Sequence, residues 1–366
     1  MRGFPPLSLW RWAQKKKWES ATQEFQPYFE KALLTEKDSV EFLKLSLRLL
    51  ELPALVLLGD EPEQKGVSQG KAALSNKLRK VESLTLQNRL HEASKVLMSH
   101  GIARPTEQLF DRLQALHPPL KEPVPKLTTY ADQFTLTPEE VYGSLFKQCN
   151  EKWQSPDPYG WNTALLHLIR NAPDEMSFFT CFSTFISKLI DADVSDLVAY
   201  TLTAGSMIGL NKDDEETQKA RLDAGLEPRE RPINQGSLFL KCAFDLALHS
   251  EEAQQAVKNL RPIQQGVGAP RGMELISHVC TTLYDKGYAI LKMDATNGFQ
   301  EIKRSSLHEA VRKRCPSLLS LFQKYYTKES FCYLSLEDEI RKLIAGEGAR
   351  IGCKLSSFCS NCARCL

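Results

Sequence analysis

One aspartate stands where a carboxylate could do chemistry. In AILKMDATNGFQEI, residues 289–302, the apolar run of Ile290, Leu291 and Met293 is too short for a helix. It reads instead as a strand covered on both faces, which delivers Asp294 to its end. A carboxylate there is costly to bury unless a metal ion or an arginine pairs with it. The same residue serves equally well as the cap of the polar turn that follows. Two other stretches invite a chemical reading. Cys353, Cys359, Cys362 and Cys365 crowd the last residues and could hold zinc, although tetrahedral sites normally use two ligand pairs separated by a longer loop. QGVGAPRG, residues 265–272, is glycine-rich but lacks the Lys-Ser/Thr pair of a phosphate-binding P-loop.

The elements that must position such groups are mostly helical in the first two fifths of the chain. Apolar residues from Asp38 to Leu52 fall on one helical stripe, with Asp38 and Glu41 as a capping box and Pro53 as the stop. The polar stretch 59–80 reads as loop before helical pattern resumes. Leu86 to Ser99 and Glu107 to Leu116 read as a helical hairpin with Gly101 as a left-handed cap. Pro118 to Gln133 reads as a linker. TPEE at 137–140 is a strong helix start, and further helices are expected at 161–170 and 177–190. The pattern divides the chain into a helical region over 1–133, a helical connector over 134–200 and a mixed region over 201–366. In the last, the strand ending IGLNK precedes a charged insert, Asp213 to Glu230, read as an exposed loop. RPINQGS and helices from Leu238, Glu251 and Met273 then lead back to Asp294.

Bulk numbers narrow the function classes. A net charge of +2 announces no nucleic-acid partner, so any basic surface must be local. No apolar run approaches the length of a membrane span, LPALVLL being the best. Ten cysteines without a secretory signal suit reduced thiols, hence the cytoplasm or nucleus.

With these stretches in order, the chain resembles the reverse transcriptases of non-LTR retrotransposons. The similarity is close in LKMDATNGFQEIKRSSL, which looks like their first palm motif, and good in RERPINQGS and GAPRGMELISH. It extends more weakly through LELPALVLL, HEASKVLMSHG and DPYGWNTALLHLI. The resemblance implies an α+β chain, a helical amino-terminal region followed by the fingers and an incomplete palm of a right-hand polymerase. It implies a magnesium-dependent RNA-directed DNA polymerase with an RNA template, a DNA primer and a dNTP as partners, and no membrane. Asp294 would be the catalytic metal ligand, helped by the Ala295 carbonyl. Phe299 would lie under the sugar and exclude a 2′-hydroxyl. Lys212, a point charge, and Arg231, a planar fork, would hold the triphosphate, and Gly352 in EGARIGCKLSSFC would touch the nucleotide.

The departures carry expectations of their own. Ile351 replaces the family's glutamine, Ser356-Ser357 its Ser-Pro, and the insert between Lys212 and Arg231 is longer than the usual turn. The paired-aspartate motif of aromatic-x-Asp-Asp character has no counterpart. The reading is therefore a fragment that does not polymerise by itself. Its alternative is a non-catalytic helical protein derived from such an element that binds nucleic acid or a partner. In either reading Lys303, Arg304, Arg312, Lys313 and Arg314 are candidate contacts to a nucleic-acid backbone, with Arg312 and Arg314 reading more simply as the solvated face of a helix begun by Ser306 and Glu309.

Overall fold

The computed structural model describes residues 25–36, 39–57, 71–87, 90–125, 136–137, 139–141, 143–144, 157–161, 175–261, 263–266, 269–293, 297–336, 339–350 and 353–364. Asp294, Ala295, Gly352 and Cys365 lie outside them, as does all but Trp161 of the helix expected at 161–170.

Helices α1 (Val40–Leu57), α2 (Lys71–Leu86), α3 (Leu90–Leu97), α4 (Glu107–Ala115), α5 (Glu175–Ile190) and α6 (Asp196–Thr203) precede the sheet. Strand β1 (Gly205–Asn211), helix α7 (Glu215–Asp223) and strand β2 (Glu230–Gly236) follow, then α8 (Leu238–Leu248), α9 (Glu251–Asn259) and α10 (Gly272–Asp285). The chain closes with α11 (Arg304–Arg314), α12 (Leu319–Tyr326), β3 (Ser330–Ser335), β4 (Ile340–Ala345) and α13 (Lys354–Arg364). The α+β class expected from the sequence is what the chain adopts, with a four-stranded mixed sheet in the order β2-β1-β3-β4. β1 is antiparallel to β2 and parallel to β3, and β3 is antiparallel to β4.

One sheet face is covered by α4. Leu109 and Leu113 pack on Met207, Cys332, Leu334 and Leu343, and Gly209 permits the approach because a Cβ there would come within 3.1 Å of Leu109. Gln114 brackets the edge strand β4, donating to the Ile344 carbonyl and accepting from its N–H, each at 3.0 Å. The larger core lies among α1, α5, α6, α8, α11, α12 and α13. At its centre Phe239 meets Trp161, Phe182 and Phe185 at ring distances of 5.3, 5.4 and 5.9 Å.

Several expectations are corrected. Pro53 does not stop α1 but lies inside it. A proline leaves the carbonyl four residues back without its helical donor, and the Trp161 indole Nε1 donates to that Leu49 oxygen at 3.0 Å. The cap of α1 is Ser39, whose hydroxyl accepts from Phe42 N at 3.1 Å. Part of the presumed loop at 59–80 is helix α2, against which α3 packs. Helix α4 therefore makes no hairpin with the segment before it, and Leu86, Leu90 and Leu97 are exposed rather than a core stripe. Residues 118–125 are strapped down: Pro118 O accepts from Gly346 N and Glu347 N at 3.3 and 3.0 Å, and Val124 is buried. The box at Thr137 is present, Glu140 N donating to Thr137 Oγ1 and Thr137 N to Glu140 Oε2.

The largest correction concerns the run before Asp294. Residues 288–293 form no strand, and Leu291 and Met293 are 80% and 83% exposed. An apolar alternation marks a segment suited to cover, and no described element supplies that cover.

Candidate nucleotide-holding face and the cleft behind it

The β1–β2 hairpin positions the two cations picked out by the sequence. Leu210 pairs with Arg231 across the ladder and Lys212 N donates to Arg229 O at 3.0 Å. Side chains alternate between faces every residue, so Leu210, Lys212, Arg231 and Ile233 share one face. Gly205, Met207, Glu230, Pro232 and Asn234 take the other and are buried. Lys212 and Arg231 are both exposed. As diagonal neighbours they stand about 7–8 Å apart by backbone spacing, a span a phosphate group can bridge.

The insert does not spoil this register, because it folds on itself. Asp214 caps α7 through Thr217 N at 2.8 Å, and Asp213 receives the Arg229 guanidinium, Nε at 2.9 Å. Both carboxyls are held below their ordinary value, Asp213 by the bonded Arg229 and Asp214 by the hydrogen bonds from Thr217. On the buried face Glu230 takes both nitrogens of the Arg112 fork, at 3.1 and 2.7 Å, which ties the hairpin to α4.

Phe299 sits in a turn whose Asn297 is left-handed at φ 50°. Its ring is half-buried and packs against the main core. The turn is joined to the loop ahead of Gly352: Ala349 N donates to Phe299 O at 2.7 Å and Gly348 N to Ile302 O at 3.0 Å. Gly348, at φ +75°, lies where a Cβ would fall 2.4 Å from Gln300 O. Glu347 accepts from Lys121 N at 2.9 Å and Arg304 N at 2.7 Å.

Sequence reasoning missed what holds this loop. Arg304 is fully buried and donates to the carbonyls of Tyr326, Lys328, Ala345 and Gly348 at 3.2, 2.6, 3.2 and 3.2 Å. Burial, with the charge of Arg350 second, pulls its guanidinium down to about 10. It is no nucleic-acid contact. Lys303 pairs with Glu122 at 2.8 Å, and Glu309 holds Arg312 and Lys313 at 2.7 and 3.3 Å. Helix α11 starts at Arg304, so Ser306 is not its cap.

Behind the hairpin are two clefts of about 30 and 10 Å³, room for a water molecule or so each, that share Asn234 and Arg350 in their walls. Thr203, Ser237, Lys241 and Cys353 complete the polar lining of the first, and His117, Gln300 and Glu347 add polar groups to the second. Arg350 donates to Thr203 O and Tyr325 O at 3.2 and 3.3 Å and lies 4.5 Å over the Tyr326 ring. Near Lys241, the buried Asp157 accepts from Tyr159, Trp161 and Leu238 N–H groups at 3.0, 2.8 and 2.9 Å. Burial pushes Asp157 up to about 6 against those bonds, and burial lowers Lys241 against the pull of Asp157. The only sequence signal for this arrangement was that Asn234 and Arg350 lie in RPINQGS and EGARIGCKLSSFC.

The zinc reading of the tail does not survive. Cys359 and Cys362 face the core from α13, the Cys353 sulfur accepts from Tyr326 Oη at 3.2 Å, and burial raises the Cys359 thiol well above its usual range. Among the described residues no group of three or more His, Cys, Asp or Glu could hold a metal ion. Nor is any described helix long and apolar enough to cross a membrane. No protein-family model matches the chain, and no curated protein is similar to it.

Proposed function

We propose that this chain is the fingers and part of the palm of a reverse transcriptase of the non-LTR retrotransposon kind, and that alone it binds a deoxynucleoside triphosphate without polymerising. The observation that carries the reading is the common solvent face of Lys212 and Arg231, kept in register across a long insert. Two cations of different shape on one ladder suit a triphosphate: the guanidinium takes two oxygens in its plane, the ammonium a third from any direction. A second support is the backbone joining of the Phe299 turn to the 346–350 loop, which makes one unit of two segments that the resemblance gives to the same nucleotide.

Magnesium, in complete members of that family, activates the primer 3′-hydroxyl and neutralises the leaving pyrophosphate. Asp294 and Ala295, to which the resemblance assigns it, lie outside the described residues, so what remains to this chain's described groups is binding and orientation. Against a basic nucleic-acid surface on α11, Lys303 pairs with Glu122, Arg312 and Lys313 pair with Glu309, and Arg304 lies in the interior.

Calorimetric titration with dTTP and magnesium tests the reading. Lys212→Ala and Arg231→Ala should each weaken binding about tenfold, the loss of one charge-assisted contact. Wild-type binding should persist while primer extension on an RNA template stays undetectable. Absence of dTTP binding, or binding indifferent to both substitutions, would refute it.

A further inference from the structure

Lys212 and Arg231 share a face but are not held alike. Lys212 follows β1, whose last residues are paired on both sides: with β2, and with the segment ahead of α4 through Ala103 N to Gly209 O at 2.9 Å and Asn211 N to Gly101 O at 3.1 Å. Arg231 is the second residue of β2, an edge strand that the chain enters directly from the insert. The end of an edge strand is where a ladder frays first, and a side chain carried there moves with it.

Helix α4 supplies an anchor at this end. Leu109 and Leu113 seat the helix on the sheet, while Gln114 and Glu107 fasten it to β4. Arg112, one residue before Leu113, flanks that apolar stripe on the side of β2. Its fork takes both oxygens of Glu230, the chain neighbour of Arg231, at 3.1 and 2.7 Å. The Glu230 side chain is 4% exposed. A bidentate pair fixes orientation as well as distance. Because successive strand side chains leave opposite faces, holding Glu230 beneath the sheet sets where Arg231 emerges above it.

We propose, resting on the triphosphate reading, that Arg112 is a positioning residue for Arg231: it touches no nucleotide and acts by holding Glu230. Calorimetric titration of the full chain with dTTP and magnesium tests this as a double-variant cycle. Arg112→Ala should weaken binding about three- to tenfold, since a misplaced Arg231 can lose no more than an absent one. In the Arg231→Ala background the same change should have no further effect, and in the Lys212→Ala background it should keep its full factor. General loosening of the fold would lower affinity in both backgrounds alike. Glu230→Gln, which keeps the shape of the side chain and one accepting oxygen, should show the same pattern with a smaller factor and an unchanged far-ultraviolet circular dichroism spectrum. Unchanged affinity in both variants, or equal losses in the two backgrounds, would overturn the proposal and leave the triphosphate reading standing. Absence of dTTP binding by the wild type would overturn both.

Discussion

Replacing Trp161 with phenylalanine removes the indole N–H that serves Leu49 O while keeping a ring beside Phe239. The carbonyl needs that donor because Pro53, four residues on, has none. Trp161 and Leu49 are both within 1% of full burial, so no water can substitute. The orphaned oxygen should then cost about 1–3 kcal/mol, on top of a term for lost ring volume. Pro53→Ala restores a backbone N–H at the position from which helical geometry aims it at Leu49 O. In that background the Trp161→Phe cost should shrink to the volume term, giving a coupling of about 1–2 kcal/mol between residues 161 and 53. Urea denaturation of the four proteins of the cycle measures it, with unchanged m-values as the check on comparable unfolding. Coupling below about 0.5 kcal/mol, the scatter expected of independent sites, would refute the carbonyl account and leave Trp161 as packing alone.

Other substitutions follow from the same geometry. Arg304→Ala should cost more than about 4 kcal/mol, since it strands four carbonyls, three of them buried, and opens a cavity; a loss below about 1 kcal/mol in thermal melts would contradict the assigned hydrogen bonds. Two carboxylates should give opposite pH slopes. Asp157, raised by burial to about 6 from 3.8, contributes stability present below the lower value and lost as pH rises through the higher. Asp196, pulled to about 2 by Lys328 and Lys324, contributes stability present above pH 3.8 and lost as pH falls through 2. Denaturant titrations of Asp157→Asn and Asp196→Asn should flatten the window from 3.8 to 6 and the window from 3.8 to 2, respectively.

Elements with a strong period were legible in the sequence. Helices α4, α8, α9 and α10 lie where the apolar spacing puts them, and the parity that sets Lys212 and Arg231 on one face follows from the ladder. Features decided at long range were not. Arg304 sits in the charged string KRSS and reads as a surface cation, yet its acceptors come from residues 326 to 348, which no local pattern associates with it. Pro53 reads as a stop because its rescuer is 108 positions away, the difference between 161 and 53. The run before Asp294 has the composition of a covered strand, and composition does not say which element, or which molecule, does the covering.

The loop from Gly346 to Arg350 and the turn of Phe299 are held by guanidinium-to-carbonyl bonds and backbone bonds inside the protein. The ties around them, Lys303–Glu122, Arg341–Glu107 and Lys328–Asp196, join exposed ions. Ionic strength separates the two kinds, because mobile ions reach the surface pairs and not the buried dipoles. Rising salt should loosen the periphery while the seat beneath Phe299 keeps its shape, so a nucleotide held mainly by Lys212 and Arg231 would be lost through its own screened phosphates before its platform moved.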